Sequence, residues 1–428
     1  MHETDTQHTP QHRIGFVGSR FSGIDGVSLE TQKWAEVFSR SGHECFFFAG
    51  ELDCPPEREY VAPEAHFKHP EVVSLQNVLV HSAQRTPEAT EAMHALRRML
   101  KEHLAHFVEV YNIDTIVVEN ALSLPLNISL GVALTEFLFE TGIPVIGHHH
   151  DFPWERNAFT HTQAPEYIEM AFPPHTLTRM AHVTIHTQAT RALYTRKNIR
   201  AVTAPNVMDF KHPPAALSLE RETAIRKALA IEPMARIFLH PTRVVPRKEI
   251  EISIDILHEL LGSNVLLVSH ESGDEDNGEY QNYLARYASS KGVDVRFVAD
   301  RVTECVGKER GACTLAELYS MADMVLYPSL WEGFGNAFVE AVYYRVPILV
   351  RRYPVYVSDI APKGFAAIEY EPGMNMQHLA KKVEHVLKSE RTIARDTVHN
   401  YTLGMKHFSY EQLDKMLMRI LSNIHTTA

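Results

Sequence analysis

Apolar residues in this chain fall into short runs, each closed by a glycine or a polar residue, and alternate with stretches of helical spacing. "RIGFVG" (13–18) is a strand that ends in Gly18, and "SRFSGIDGVS" follows as a loop carrying Gly23 and Gly26. In "LETQKWAEVFSRSG" the apolar positions Leu29, Trp34, Val37 and Phe38 predict a helix, stopped by Gly42. "HECFFFAG" is the next strand. Strand, glycine loop, helix and strand in that order open a doubly wound parallel sheet.

The alternation continues with a long helix over "TEAMHALRRMLKEHLAHFVEVY", a buried strand "IDTIVVEN", a helix "LPLNISLGVALTEFLFET" and a strand "IPVIGHHHD". "HVTIHT" and "AVTAPNV" are later short strands. This predicts an N-terminal Rossmann-like domain over 1–204. A linker with a short helix, near 205–235, leads into a second series. "ARIFLHPTRVVPRKEIEISIDILHELL" reads as strand, loop and helix, and "NVLLVSH" and "VDVRFVAD" as strands. "TLAELYSMA" is a helix, "DMVLYPS" a strand, "NAFVEAVYYR" a helix and "VPILVRR" a strand. A second Rossmann-like domain is predicted over 205–404. The remainder, 405–428, is predicted as an amphipathic helix packing back on the first domain, with Leu413, Met416, Leu417 and Ile420 on one face. The fold class expected is α/β, with two domains facing across a cleft and ligands at the carboxyl ends of the strands.

Composition narrows the partners. At 428 residues the chain has room for two domains of about 200 residues. No apolar run is long enough for a membrane span, and the first residues, "MHETDTQHTPQHR", lack an apolar signal segment, so a cytoplasmic location is expected. Cys45, Cys54, Cys305 and Cys313 are scattered, with neither zinc-type spacing nor a disulfide framework. A net charge of -11 argues against nucleic acid. Self-association is left open.

The chemistry starts at "LWEGFGNAFVEA" (330–341), which follows a strand. Gly333 and Gly335 let the backbone approach a ligand. Asn336 is read as the cap of the next helix, whose first-turn amides form an anion site suited to phosphate. Glu332 and Glu340 would repel that phosphate unless each meets hydroxyls, and a carboxylate accepts two hydrogen bonds in a fork that suits vicinal diols. About four residues of helix place Glu340 about 6 Å beyond Asn336. The ligand inferred is sugar, phosphate and ribose: a nucleotide-sugar. "HPTRVVPRKE" supplies Arg243 and Lys248 at the end of another strand of the same domain, as cations for a diphosphate and its leaving-group charge.

These segments resemble retaining glycosyltransferases of the GT-B fold, family 4. "EGFGNAFVEA" resembles their acid, seven residues, acid motif, and "TRVVPRKEI" their arginine and lysine segment. "GIDGVSLETQKWAEVFSRSGHE" resembles their N-terminal glycine loop and first helix. "APNVMDF" resembles their hinge-side segment with its glycine missing. The resemblance covers almost the whole chain. It implies that Glu332 holds donor hexose hydroxyls and Glu340 the ribose. It further implies that Arg243 and Lys248 bind the diphosphate, with added contacts from the amides of Phe334, Gly335 and Asn336. It implies retention of anomeric configuration and no essential metal or other cofactor.

"GHHHDFPWER" (147–156) ends a strand of the first domain. Side chains alternate along a strand, so His148 and His150 point one way and His149 the other. That divergence argues against a metal site. The resemblance implies one histidine near the donor sugar; His150 is the choice, with Asp151 beside it. Trp154 and Arg156 are assigned to an acceptor pocket, and Gly23 and Gly26 to substrate contact or a plain turn. Tyr343 and Tyr344 are read as packing. The function expected is transfer of a hexose from a UDP- or GDP-linked donor to a hydroxyl acceptor, a small metabolite or a saccharide. The alternatives are an epimerase or phosphorylase on the same scaffold, and a binding protein without turnover.

Overall fold

The central apolar runs become strands covered on both faces: every residue of Thr115–Glu119 and of Val145–His149 is buried. Parallel strands joined by crossover helices require that double covering. The computed structural model describes residues 11–23, 25–175, 177–271, 278–303 and 313–426. The chain divides into two compact units, Met1–Pro205 with Glu411–Ala428, and Asn206–Tyr410.

In chain order the first unit contains β1 (Arg13–Val17), α1 (Gly26–Arg40), β2 (Glu44–Ala49), β3 (Glu59–Val61), α2 (Pro70–Gln76), α3 (Pro87–Tyr111) and β4 (Thr115–Glu119). Then come α4 (Ile128–Thr141), β5 (Val145–His149), α5 (Pro165–Ala171), β6 (Met180–Thr184), α6 (Thr187–Lys197) and β7 (Ala201–Thr203). The sheet is parallel, in the order β3-β2-β1-β4-β5-β6-β7. The winding reverses between β1 and β4, and a ligand crevice opens at the carboxyl ends of strands beside such a reversal. Leu100, Leu104 and Phe107 of α3 and Val132 and Leu134 of α4 cover Ile116 and Val118.

The second unit contains α7 (Leu219–Ala228), β8 (Arg236–His240), α8 (Ile250–Glu259), β9 (Asn264–Val268), α9 (Glu279–Lys291), β10 (Asp294–Phe297), β11 (Val302–Thr303), β12 (Cys313–Thr314) and α10 (Leu315–Met321). It continues with β13 (Met324–Tyr327), α11 (Asn336–Tyr343), β14 (Ile348–Arg351), β15 (Ile368–Tyr370), α12 (Met376–Leu387) and α13 (Glu390–His407). Its main sheet is also parallel, in the order β10-β9-β8-β13-β14-β15. The expected α/β class with two parallel-sheet domains holds. The apolar pattern does not reveal β3, α2, α5, α6, α9, β11, β12, β15, α12 or α13, which are short or strongly polar.

The terminal helix begins later than its amphipathic pattern predicts. α13 runs through His407, and α14 occupies Tyr410–Thr426. Between them the Phe408 carbonyl accepts from Met208 N at 2.9 Å, and the Phe408 ring meets Phe334 and Phe365. Those contacts turn the chain out of the helical path. α14 buries Leu413, Leu417, Ile420, Leu421 and Ile424. Its polar contacts are with the first unit: Ser41 to Asp414, His43 to the Met418 sulfur, and Thr115 Oγ1 to His425 Nε2 at 2.8 Å. Cys45, Cys54 and Cys313 are free thiols; Cys305 lies outside the described residues. Among the described residues no helix is long and apolar enough to cross a membrane.

Candidate active site

In the second unit β13 ends at Tyr327, and the chain turns through Glu332 to Gly335 before α11 starts. The Glu332 carboxylate is nearly buried, with its side chain 10% exposed. Lys248 Nζ donates to Oε1, and Arg247 Nη1 lies 3.4 Å from Oε2. Burial pushes the Glu332 carboxyl up, but the Lys248 and Arg247 charges outweigh it and hold it below the usual carboxylate range. Burial lowers Lys248 to about 8, with Glu332 pulling the other way, so both groups are charged at neutral pH.

A 3-10 turn at Pro246–Lys248 aims the two cations. The Arg247 guanidinium lies 4.3 Å from the Trp331 ring centroid, and its Nη1 donates to the Trp331 carbonyl at 3.0 Å. The Leu330 amide donates back to the Arg247 carbonyl at 2.8 Å. The two loops are therefore joined along their backbones as well as through charge. Arg243 is exposed and has no ion pair among the described residues. His240 and His270, at the ends of β8 and β9, are lowered to about 3 and about 4 by burial and by Lys248, and are neutral. Three cations against one carboxylate leave this corner with a surplus of two positive charges, which matches a diphosphate.

The helix cap differs from expectation. Gly335, not Asn336, is the N-cap of α11, with φ +138°. A Cβ there would meet Tyr353 Oη at 2.2 Å, and that hydroxyl already donates to the Phe334 carbonyl at 2.9 Å. The close approach requires glycine. Asn336 is the first helical residue, and its Oδ1 accepts from Asn206 Nδ2 at 2.6 Å. The Phe334 side chain is core, edge-on to Phe408, so only its backbone is offered to a ligand. Gly333 is half-buried beside Glu332. One turn into α11, the Glu340 carboxylate accepts from Tyr319 Oη at 2.6 Å, and Tyr319 is stacked on Tyr344. Tyr343 is buried, its hydroxyl donating to the His212 carbonyl.

In the first unit the three histidines alternate as the strand geometry requires. His148 Nδ1 and His150 Nε2 both reach Glu119 Oε2, at 2.8 and 3.2 Å. His149 Nε2 turns the other way, to His182 Nδ1 at 2.9 Å. His148 is fully enclosed beneath Trp34, ring centroids 3.9 Å apart, and His149 is 1% exposed. His150, 8% exposed, is the least enclosed of the three. Burial drives His149 well below the ordinary imidazole range.

The Asp151 carboxylate takes Arg156 Nη2 at 3.2 Å. Half-buried Trp154 stacks on Phe152, 4.5 Å between centroids, over a small cluster with Leu193 and Ile199. Gly23 lies in a turn with φ +72°, its amide donating to Asp53 Oδ2. Gly26 is the first residue of α1, behind an Asp25 cap that accepts from Val27 and Ser28. Among the described residues two sets, Glu119–His148–His150 and His12–Asp114–His425, hold a carboxylate and two imidazoles within 4.8 Å. In each the carboxylate is a hydrogen-bond acceptor for imidazole nitrogen, which accounts for the grouping.

Arg247, Tyr319, Asn206 and Glu119 escaped sequence reading. Arg247 stands next to Lys248 and no pattern separates them; Glu119 closes an apolar strand, where a buried acid is the available signal. The family resemblance puts base contacts around "SHESG" and "DRVTE" without naming residues; of these segments Ser272, Gly273 and Glu304 lie outside the described residues.

A family model for "Glycosyl transferases group 1" matches residues 221–402, which includes the Lys248–Glu332 corner and all of α11. The mannosylglucosylglycerate synthase of Thermotoga maritima is 33% identical over 95% of this chain and 99% of its own length. That of Petrotoga mobilis is 31% identical over 88% and 92%. Among solved structures, Anabaena HepE in complex with UDP and glucose has the same fold, with a TM-score of 0.66 at 15% identity over 96% of this chain and all of that one. Similarity that runs through both units, with the acid and cation segments inside the matched region, places the chain in the glycosyl transferases group 1 family, glycosyltransferase family 4: it is a glycosyltransferase of the GT-B fold.

Proposed function

We propose that the chain transfers a mannosyl group from a UDP- or GDP-linked donor to glucosylglycerate, with retention at the anomeric carbon. The observation that carries this reading is the end-to-end similarity to two relatives named mannosylglucosylglycerate synthase. The nucleotide-sugar donor is supported by the charge arrangement of the second unit. Glu332, oriented by Lys248 and Arg247, is assigned to hexose hydroxyls. Glu340, oriented by Tyr319, is assigned to the ribose. Lys248, Arg247 and Arg243 face the diphosphate.

In this scheme the acceptor hydroxyl oxygen forms a bond to the anomeric carbon on the face the leaving group departs from. The bond from that carbon to the diphosphate oxygen breaks, and its electron pair goes to the diphosphate. The hydroxyl proton passes to the leaving phosphate oxygen. Charge grows on the diphosphate in the transition state, where fixed cations stabilise it most. The same cations do what a divalent ion would do, so the scheme needs no metal. In the first unit, His150 is assigned to a hydrogen bond with a substrate sugar.

The test is incubation of the purified chain with GDP- and UDP-linked mannose and glucose, each with and without glucosylglycerate, followed by mass spectrometry and NMR. A mannosylated glucosylglycerate with the donor's anomeric configuration is expected. Turnover only with another hexose or acceptor overturns the substrate assignment, and an inverted product overturns retention.

A further inference from the structure

Glu119 is the last residue of β4, and β4 pairs with β5 so that Glu119 stands opposite His148. Its side chain is 0% exposed. One oxygen, Oε2, receives both His148 Nδ1 and His150 Nε2, while Oε1 is buried without a hydrogen-bond partner among the described residues. We propose that Glu119 is a positioning residue: its carboxylate fixes which nitrogen of His150 is offered to substrate, and that nitrogen is Nδ1. The inference rests on the assignment of His150 to a substrate sugar.

An ionised carboxylate only accepts, so both nitrogens that touch it carry protons. With Nε2 held, Nδ1 is the remaining polar atom of the His150 ring. His148 is not available for this role, because Trp34 closes over its ring and its accessibility is zero. The backbone is fixed from the same place. Asn120, the next residue, has φ +58°, and its Oδ1 accepts from the amides of His150 and Asp151 at 3.1 and 3.2 Å and from Ser123 Oγ at 2.8 Å. Its own amide donates to the His148 carbonyl at 2.9 Å. Residues 119 and 120 thus orient both the ring and the main chain of His150.

The charges around the ring agree. His150 is faced by Glu119 from β4, by His148 from its own strand, by Glu30 from α1, and by neighbouring Asp151. Glu30 is itself buried and paired with Lys33 at 3.1 Å. Burial alone pushes an imidazole down, but the Glu119 hydrogen bond and charge outweigh it and raise His150 above its ordinary value. His148 goes down, with burial as the main cause. Beside one carboxylate, the two rings are thus pushed in opposite directions, His150 toward the imidazolium and His148 toward the neutral form. An imidazolium Nδ1–H donates to a sugar hydroxyl oxygen; a neutral imidazole with its proton on Nε2 could only accept there.

The experiment combines a wild-type titration with a variant. NMR titration of the His150 ring signal, identified by its loss in His150→Gln, should give a midpoint above the free imidazole value; a midpoint below it overturns the proposal without any change at Glu119. In the pH profile of kcat/KM, Glu119→Gln should shift the alkaline limb about one unit or more toward acid, the size of a lost opposite-charge neighbour. Glu119→Asp should recover part of that shift. A folded Glu119→Gln protein with the wild-type profile overturns the proposal, because a purely structural role would lower stability and leave the limb in place. If His150→Ala keeps full kcat/KM, the underlying assignment fails instead, and the wild-type titration tells the two failures apart.

Discussion

Lys248 Nζ donates to Glu332 Oε1, and the two side chains are only 7% and 10% exposed. This pair joins the loop after β8 to the loop after β13, so it is structural and electrostatic at once. Lys248→Ala leaves a nearly buried carboxylate with only Arg247 beside it, and should cost about 3 kcal/mol of stability. Lys248→Met combined with Glu332→Gln should recover most of that stability in thermal unfolding and none of the turnover. Recovery of turnover would remove both residues from the chemistry.

The same lysine sets a pH dependence. Its ammonium is lowered to about 8 by burial. In the proposed scheme the charged form stabilises the leaving diphosphate, so kcat/KM should show a fall through about pH 8 that belongs to Lys248 and is separate from the limb set by His150. Glu332, held below the usual carboxylate range, stays ionised throughout. The limb in kcat should lie higher, because a bound diphosphate favours the ammonium.

Glu340 is positioned by the Tyr319 hydroxyl at 2.6 Å. Glu340→Gln removes the charge from the hydrogen bonds proposed between this carboxylate and a ribose, and a charged hydrogen bond contributes about 1.5–3 kcal/mol. Nucleoside diphosphate affinity by calorimetry should fall about tenfold or more. Unchanged affinity would refute the ribose assignment.

Gly335 sits at φ +138°, and an added Cβ would lie 2.2 Å from Tyr353 Oη. Gly335→Ala should destabilise the protein by about 1–3 kcal/mol. It should also weaken nucleotide binding by moving the first turn of α11. A variant with wild-type melting and affinity would show that the turn relaxes freely.

Fixed cations in place of an ion predict that turnover survives excess chelator. Abolition by chelation, with recovery on adding a divalent cation, would return attention to Glu119, His148 and His150.

Much of this was legible in sequence because strands with two buried faces cannot avoid being apolar runs. Glu332 and Lys248 stood out because charged residues in glycine- and proline-bearing turns just after apolar strands break the apolar pattern, although the two side chains prove to be nearly buried against each other. The rest depended on contacts between distant segments. The pairing of His148 and His150 with Glu119 spans 29 and 31 residues. The choice of Arg247 over its neighbours is made by one 3-10 turn. Gly335 displaced Asn336 as the cap because Tyr353, 18 positions further on, fills the space a side chain would need. The late start of α14 is set by Met208 and Phe408, which no local pattern links.

α14 belongs with the first unit although nearly the whole second unit precedes it in the chain. The half that leaves the ribosome first is therefore completed last. Until Leu413, Leu417, Ile420, Leu421 and Ile424 have been synthesised, the surface around His43, Thr115 and Arg179 lacks its cover. A fragment ending at Pro205 should be sticky and poorly soluble, and adding the α14 peptide in trans should rescue it.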